Sequence, residues 1–218
     1  MQNTAAANPA GRILPTLRLT RYNIGMSTTP RTILVCVTGG IAAYKVCDVV
    51  SKLVQGGAIV NVAMTQEATH FVGPTTFQAL TNRPVQTTLW SPADASGADT
   101  IPHINLAQSA DLVVVAPATA NIIAKLAAGI ADELVSTLLL AAHPKRIVMA
   151  PAMNEAMWKH PATQRNCQTV LDWGVTFVGP GSGWQACRTV GAGRMAESAE
   201  ILAAVQARLT AAPTVHTI

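Results

Sequence analysis

Five short runs of apolar and β-branched residues, at 32–38, 59–64, 112–116, 146–150 and 175–178, punctuate the chain, and the intervals between them carry helical patterns. A run such as Ile33-Leu34-Val35-Cys36-Val37 is apolar at consecutive positions, so the strand it forms must be covered on both faces. The segment 42–55 places Val46, Val49, Val50 and Leu53 on one helical face, and Gly56-Gly57 ends it. Further helices are expected at 66–70, 75–80, 119–128, 132–142, 161–173 and 198–209. Strands and helices alternating through short connections predict an α/β fold, an open, doubly wound parallel sheet with right-handed crossovers. Ligands of such sheets sit beyond the carboxyl ends of the strands.

With 218 residues, half of them apolar, the chain is sized for one core. That core is expected over 31–210, with 1–30 as a disordered extension, an early start ahead of Met26 or a targeting peptide, and 211–218 as a frayed tail. The formal charge of +4 resides in Arg12, Arg18, Arg21 and Arg31, because the eleven basic and eleven acidic residues after them cancel. No basic field is left to gather a polyphosphate, aromatic residues are scarce, and nucleic acid is not an expected partner. The apolar runs break well before the roughly 20 residues that span a bilayer, so no membrane partner is expected either. Cys36, Cys47, Cys167 and Cys187 match neither a zinc ligand set nor a disulfide scaffold. Reduced thiols, a cytoplasmic location and no metal follow as expectations.

The first strand runs directly into Thr38-Gly39-Gly40-Ile41-Ala42-Ala43. Glycines at the start of a helix let backbone N–H groups approach an anion, and phosphate is the natural guest, although a plain tight turn explains two glycines equally well. The dinucleotide fingerprint and the Gly-Lys-Ser/Thr signature are both missing, which argues against NAD and nucleoside triphosphates. Three further strand ends face the same rim: Met64-Thr65, Ala116 to Asn121, and Ala150 to Asn154. Thr119 and Asn154 also suit ordinary helix caps. Between 179 and 194 glycines recur at 179, 181, 183, 191 and 193, which predicts a loop closing over a ligand.

The octapeptide Pro151-Ala152-Met153-Asn154-Glu155-Ala156-Met157-Trp158 resembles the Pro-x-Met-Asn-x-x-Met-Trp motif of the homo-oligomeric flavin-containing cysteine decarboxylases. The stretch Ala116 to Asn121 is similar to their Pro-Ala-Ser-Ala-Asn-Thr motif, with Thr119 in place of serine. From about Arg31 to Leu209 the chain resembles the phosphopantothenoylcysteine decarboxylases of that family, including Gly39 to Lys45 and Ala131 to Thr137. The resemblance implies a Rossmann-like or flavodoxin-like three-layer sandwich that binds FMN through Gly39, Gly40, Ile41, Ala42, Thr65, Phe77, Ala116, Thr119, Asn121 and Ser136. It also implies a homotrimer, or a dodecamer of such trimers, with flavin at the subunit interface, and a phosphopantothenate–cysteine ligase as a possible separate partner.

Loss of CO2 from a cysteine carboxylate leaves electrons that a neighbouring amide cannot accept, and no lysine stands out as a pyridoxal anchor. The resemblance implies the flavin route: oxidation of the thiol to a thioaldehyde, CO2 loss to an enethiol, and re-reduction to the saturated thiol. The implied reaction is conversion of (R)-4'-phospho-N-pantothenoylcysteine to 4'-phosphopantetheine, in coenzyme A biosynthesis. His103, opening His103-Ile104-Asn105-Leu106, resembles the active-site histidine of the family and has a reference pKa near neutrality. Asn154 is the expected hydrogen-bond partner of the departing carboxylate. The segment from Gly183 to Glu197 is similar to a substrate clamp, with Cys187 assisting the reductive step and Arg188 where glycine is usual. Substrate contacts are expected from Asn154, Met157, Ala186, Arg188, Arg194 and Met195. The alternatives are a peptidyl-cysteine oxidative decarboxylase and a non-catalytic flavin-binding regulatory subunit.

Overall fold

The computed structural model describes residues 30–90, 102–184, 186 and 188–211, with the backbone alone for Pro102 and His103. The expected extension and tail, and most of the polar loop at 91–102, lie outside the described residues.

Strand β1 (Thr32–Val37) leads to α1 (Ala43–Gln55), β2 (Ile59–Met64), a 3-10 turn (Glu67–His70), α2 (Pro74–Thr81) and the two-residue edge strand β3 (Val85–Gln86). Helix α3 (Pro102–Ser109) returns the chain to β4 (Leu112–Ala118), followed by α4 (Ala120–Ala128), α5 (Leu134–Ala141) and β5 (Ile147–Pro151). Then come α6 (Glu155–Lys159), α7 (Pro161–Asp172), β6 (Thr176–Phe177), the strands β7 (Gly181–Trp184) and β8 (Val190–Arg194), and α8 (Ser198–Ala211). Six strands pair in the order β3-β2-β1-β4-β5-β6, all parallel. The expected doubly wound sheet is present.

Alternation along each central strand divides the interior into two cores. Ile33, Val35 and Val37 of β1 pack with α1, α8 and Phe77 of α2, whereas Leu34 and Cys36 point to the opposite layer with α3, α4, α5 and α7. Leu112 and Val114 of β4 join the first core, and Val113 and Val115 the second. All seven residues of β4 are buried. Two-sided burial of this kind explains why the strands read as continuous apolar runs: each side chain removed from water on either face contributes about 1.5–3 kcal/mol.

The structure departs from the sequence reading at several edges. The stretch 179–194 is not simply a loop, because β7 and β8 pair as an antiparallel ribbon with Trp184 opposite Val190 and Gly183 opposite Gly191. Its glycines and serine lack the β-branched pattern that marks a strand, and tertiary anchoring supplies what propensity does not. Helix α3 begins at Pro102, where only a loop exit is legible. Helix α5 starts at Leu134 rather than 132 because Glu133 is its cap: the carboxylate accepts from Ser136 N–H at 2.6 Å and Val135 N–H at 3.0 Å, and Ser136 Oγ accepts from Glu133 N–H at 3.2 Å. Strand β4 runs on through the cis Ala116–Pro117 bond to Ala118.

Cys36 sits at the middle of this sheet, fully buried. Burial, reinforced by the negative charge of Glu133, pushes its thiol far above the ordinary range, so the reactive thiolate is suppressed. We therefore expect Cys36 to resist iodoacetamide at pH 8 in the folded protein and to be alkylated in urea; peptide mass mapping that finds it modified under native conditions contradicts this packing.

Candidate active site

A cleft of about 1170 Å³ opens at the carboxyl ends of the central strands. It straddles the point between β1 and β4 where the winding reverses, because α1 covers one face of the sheet and α4 the other. Its floor is sealed by Thr38, 2% exposed, whose Oγ1 donates to the Pro117 carbonyl at 2.5 Å.

Gly39, Gly40, Ile41 and Ala42 form one wall. A Cβ at Gly39 would lie 2.3 Å from Glu67 Cβ and 3.0 Å from the Glu67 carbonyl carbon, so the turn can pass only as glycine. At Gly40 a Cβ would meet nothing closer than 3.7 Å, so the room there is open. Helix α1 has no side-chain cap at Ala42 and no acid in its first turn. Among the described residues, none accepts a hydrogen bond from the N–H of Gly40 or Ile41. A 13-residue helix that presents uncapped N–H groups beside two glycines fits the phosphate end of a cofactor.

Thr65, Thr119 and Asn121 line the same cleft. Thr119 also caps α4, its Oγ1 accepting from Ile122 N–H at 3.3 Å, so the capping role and the lining role coexist. Asn154 does likewise at α6, with Oδ1 accepting from Ala156 N–H at 2.8 Å. Met157, Ala186, Arg194 and Met195 complete the expected substrate side, and all four line the cleft. Three expected cofactor contacts do not. Phe77 is buried in the core beneath α1, Ala116 is buried within β4, and Ser136 is buried in the cap of α5. Arg188 is exposed at the ribbon's turn with φ +64°, a left-handed conformation natural to glycine and costly for other residues. His103 falls in the first turn of α3, while its side chain and Cys187 lie outside the described residues.

Several lining residues, and the acid that pairs with the expected Arg194, escaped the sequence reading. Lys45 on α1 and Arg194 on β8 both donate to Glu197, at 3.3 and 2.5 Å. Lys125 pairs with Asp132 at 2.7 Å, and that hydrogen bond holds the Asp132 carboxyl below the usual carboxylate range. Lys45 meets an acid 152 residues away, which no local pattern signals, whereas Arg194 and Lys125 find theirs three and seven residues on. Trp90 and Trp184, 86% and 64% exposed, stand at the rim.

Residues 23–210 match the Flavoprotein family. The chain belongs to this family. This flavoprotein is 49% identical over 172 residues to the coenzyme A biosynthesis bifunctional protein CoaBC of Bacillus subtilis, covering 79% of this chain and 41% of the relative. It thus spans less than half the length of that curated relative. Among solved structures it resembles a cysteine-to-serine variant of PPC decarboxylase complexed with pantothenoylaminoethenethiol, at TM-score 0.73 and 29% identity over 82% of this chain and 98% of the other. It also resembles the FMN-dependent cysteine decarboxylase SpaF, at TM-score 0.68 and 32% identity over 83% of this chain and 98% of the other.

The close approach of Gly39 to Glu67 sets a test of this wall. Gly39→Ala is expected to destabilise the protein by about 1–3 kcal/mol, the usual range for overpacking, seen as a lower urea midpoint at an unchanged slope. An unaltered midpoint would show that the turn has room to spare.

Proposed function

We propose that this flavoprotein binds FMN in the cleft and decarboxylates (R)-4'-phospho-N-pantothenoylcysteine to 4'-phosphopantetheine, a step of coenzyme A biosynthesis. The observation that carries the reading is the meeting, in one cleft, of the uncapped Gly39–Gly40 turn and the Asn154 segment, roofed by the β7–β8 ribbon. A volume of about 1170 Å³ accommodates both a flat tricyclic ring and a substrate arm. The similarity to CoaBC and to PPC decarboxylase supports the same substrate.

FMN held there supplies a two-electron oxidation at the thiol-bearing carbon and its reversal. The chain's own groups do the rest. The oxygen of the Asn154 carboxamide accepts from Ala156 N–H, and in this reading its NH2 group is the donor to the substrate carboxylate. A neutral amide orients the carboxylate without the strong ground-state attraction of a full charge pair, which would oppose its departure as CO2. His103, on the first turn of α3, serves as the base for the thiol. Cys187 delivers a proton in the reductive step. Gly40, Ile41 and Thr65 hold the FMN phosphate, and Met157 with Met195 supplies apolar walls.

Ile41 and Tyr44, 58% and 60% exposed, stand with Trp90 and Trp184 around the mouth of the cleft. An apolar rim of this kind supports a homotrimer in which a neighbouring copy covers the flavin, with a dodecamer as a further level of assembly. A cytoplasmic location is part of this reading, as is a separate phosphopantothenate–cysteine ligase that supplies the substrate. No helix among the described residues is long and apolar enough to cross a membrane.

The likeness to SpaF favours a second reading, oxidative decarboxylation of a peptidyl cysteine. Product mass separates the two. FMN-loaded protein incubated anaerobically with phosphopantothenoylcysteine is expected to release the saturated thiol, with loss of CO2 alone. Cys187→Ser should instead accumulate a product lacking CO2 and two hydrogens, and His103→Asn should lower the rate by about 10²-fold or more. Intact substrate with fully loaded wild type overturns the assignment.

A further inference from the structure

Glu155 occupies a position that the Pro-x-Met-Asn-x-x-Met-Trp motif leaves open, yet its surroundings are closely specified. Its side chain is about one-third exposed, and its carboxylate takes a 2.7 Å contact from Lys159 and a hydrogen bond from the backbone N–H of Ala192 on β8. Directly beneath it lies Gly191, where a Cβ would fall 2.4 Å from one carboxylate oxygen and 2.5 Å from Cδ. The carboxylate therefore fills the space that a side chain at 191 would need. On the other side of Asn154, the backbone N–H of Met153 donates to the carbonyl of Gly193 at 2.9 Å. The ribbon is thus fastened at two points that flank Asn154 in sequence, one by backbone and one by the Glu155 side chain.

We propose that Glu155 is a positioning residue: seated over Gly191 and bound to the Ala192 N–H, its carboxylate holds the β7–β8 ribbon in register with the Asn154 end of the cleft. The inference rests on the proposed decarboxylase reading and adds a residue to it. The ribbon brings Trp184, Gly193 and Arg194 to the cleft, and its turn carries Ala186 into it as well. Misplacing the ribbon would alter substrate affinity and the reductive step more than the initial loss of CO2, since His103 and Asn154 lie on other elements. Lys159 and the Ala192 N–H both hold the Glu155 carboxyl below its ordinary range, the former more strongly, so the group is charged at neutral pH.

The test uses the FMN-loaded full chain and the variants Glu155→Ala, Glu155→Gln and Gly191→Ala, each first checked for flavin loading. Glu155→Ala removes a hydrogen bond to a charged group and is expected to raise KM for phosphopantothenoylcysteine by about tenfold, with a smaller fall in kcat. It should also shift product from the saturated thiol toward the oxidised enethiol. Gly191→Ala should reproduce that shift by evicting the carboxylate, and Glu155→Gln should recover most of the lost affinity because its amide oxygen still accepts from Ala192. Hydrogen exchange at Ala192 without substrate should quicken in Glu155→Ala and Gly191→Ala. Unchanged exchange at Ala192 in both variants overturns the proposal, as does an unchanged KM and product ratio. A loaded wild type that leaves substrate intact refutes the decarboxylase reading instead, and the exchange measurement still decides whether Glu155 holds the ribbon.

Discussion

The pairing of β1 with β4 is the constraint on which the rest of the molecule depends. These two strands lie in register from Ile33 opposite Leu112 to Cys36 opposite Val115, with side chains buried on both faces. Burial on both faces requires a helical layer on each side, and the chain satisfies it by sending α1 to one side and α4 to the other. The two connections diverge, so the sheet cannot close over its own carboxyl edge at that point. The hydroxyl of Thr38 bonds the β4 segment at Pro117 just below the opening, which gives the cleft a rigid floor. Every polar group that reaches the cleft from Gly39, Thr65, Thr119 or Asn154 does so because it follows a strand of this sheet.

Charge in the cleft is arranged so that side-chain cations are already matched. Lys45 and Arg194 share Glu197, and Lys125 is held by Asp132. Among the described residues, the groups suited to receive an anion include the backbone N–H groups at the start of α1 and the neutral carboxamide of Asn154. Partial charges of that kind bind an anion at low cost in specificity for its exact charge, and they do not compete strongly with the chemistry that removes a carboxylate. The shared acid Glu197 also ties α1 to the base of the ribbon, while Glu155 ties the ribbon to α6. The roof of the cleft is therefore joined to one side of the switch point by the ion pairs of Glu197 and to the other by the hydrogen bonds from Ala192 N–H to Glu155 and from Met153 N–H to Gly193.

What could be read directly from residues was whatever depends on local periodicity. The runs at 32–38 and 112–116 announced buried strands, Val46, Val49, Val50 and Leu53 announced the inner face of α1, and Gly39-Gly40 announced a close backbone approach. The octapeptide from Pro151 to Trp158 announced the family because its residue identities are unusual, not because its spacing dictates a structure. The ribbon at 181–194 was illegible for the opposite reason. Its residues have low strand propensity, and its pairing is stabilised by contacts with Met153 and Glu155, which lie some 40 residues earlier. Phe77 and Ser136 show a related point: both belong to segments near the site, and only side-chain direction, which the sequence does not carry, puts one in the core and the other in a helix cap.

Sequence alone determined the number and kind of the main layers, the edge of the sheet at which a ligand must sit, and most of the small and polar residues at that edge, because each of these follows from a pattern within a dozen neighbouring residues. Tertiary structure alone decided which acid partners Lys45, why residue 39 must be glycine, and how a glycine-rich stretch becomes a roof. Those are distances between segments far apart along the chain: Glu67 against Gly39, Glu197 against Lys45, Glu155 against Gly191. Their energies depend on ångström-scale separation, and no local regularity in the sequence encodes it.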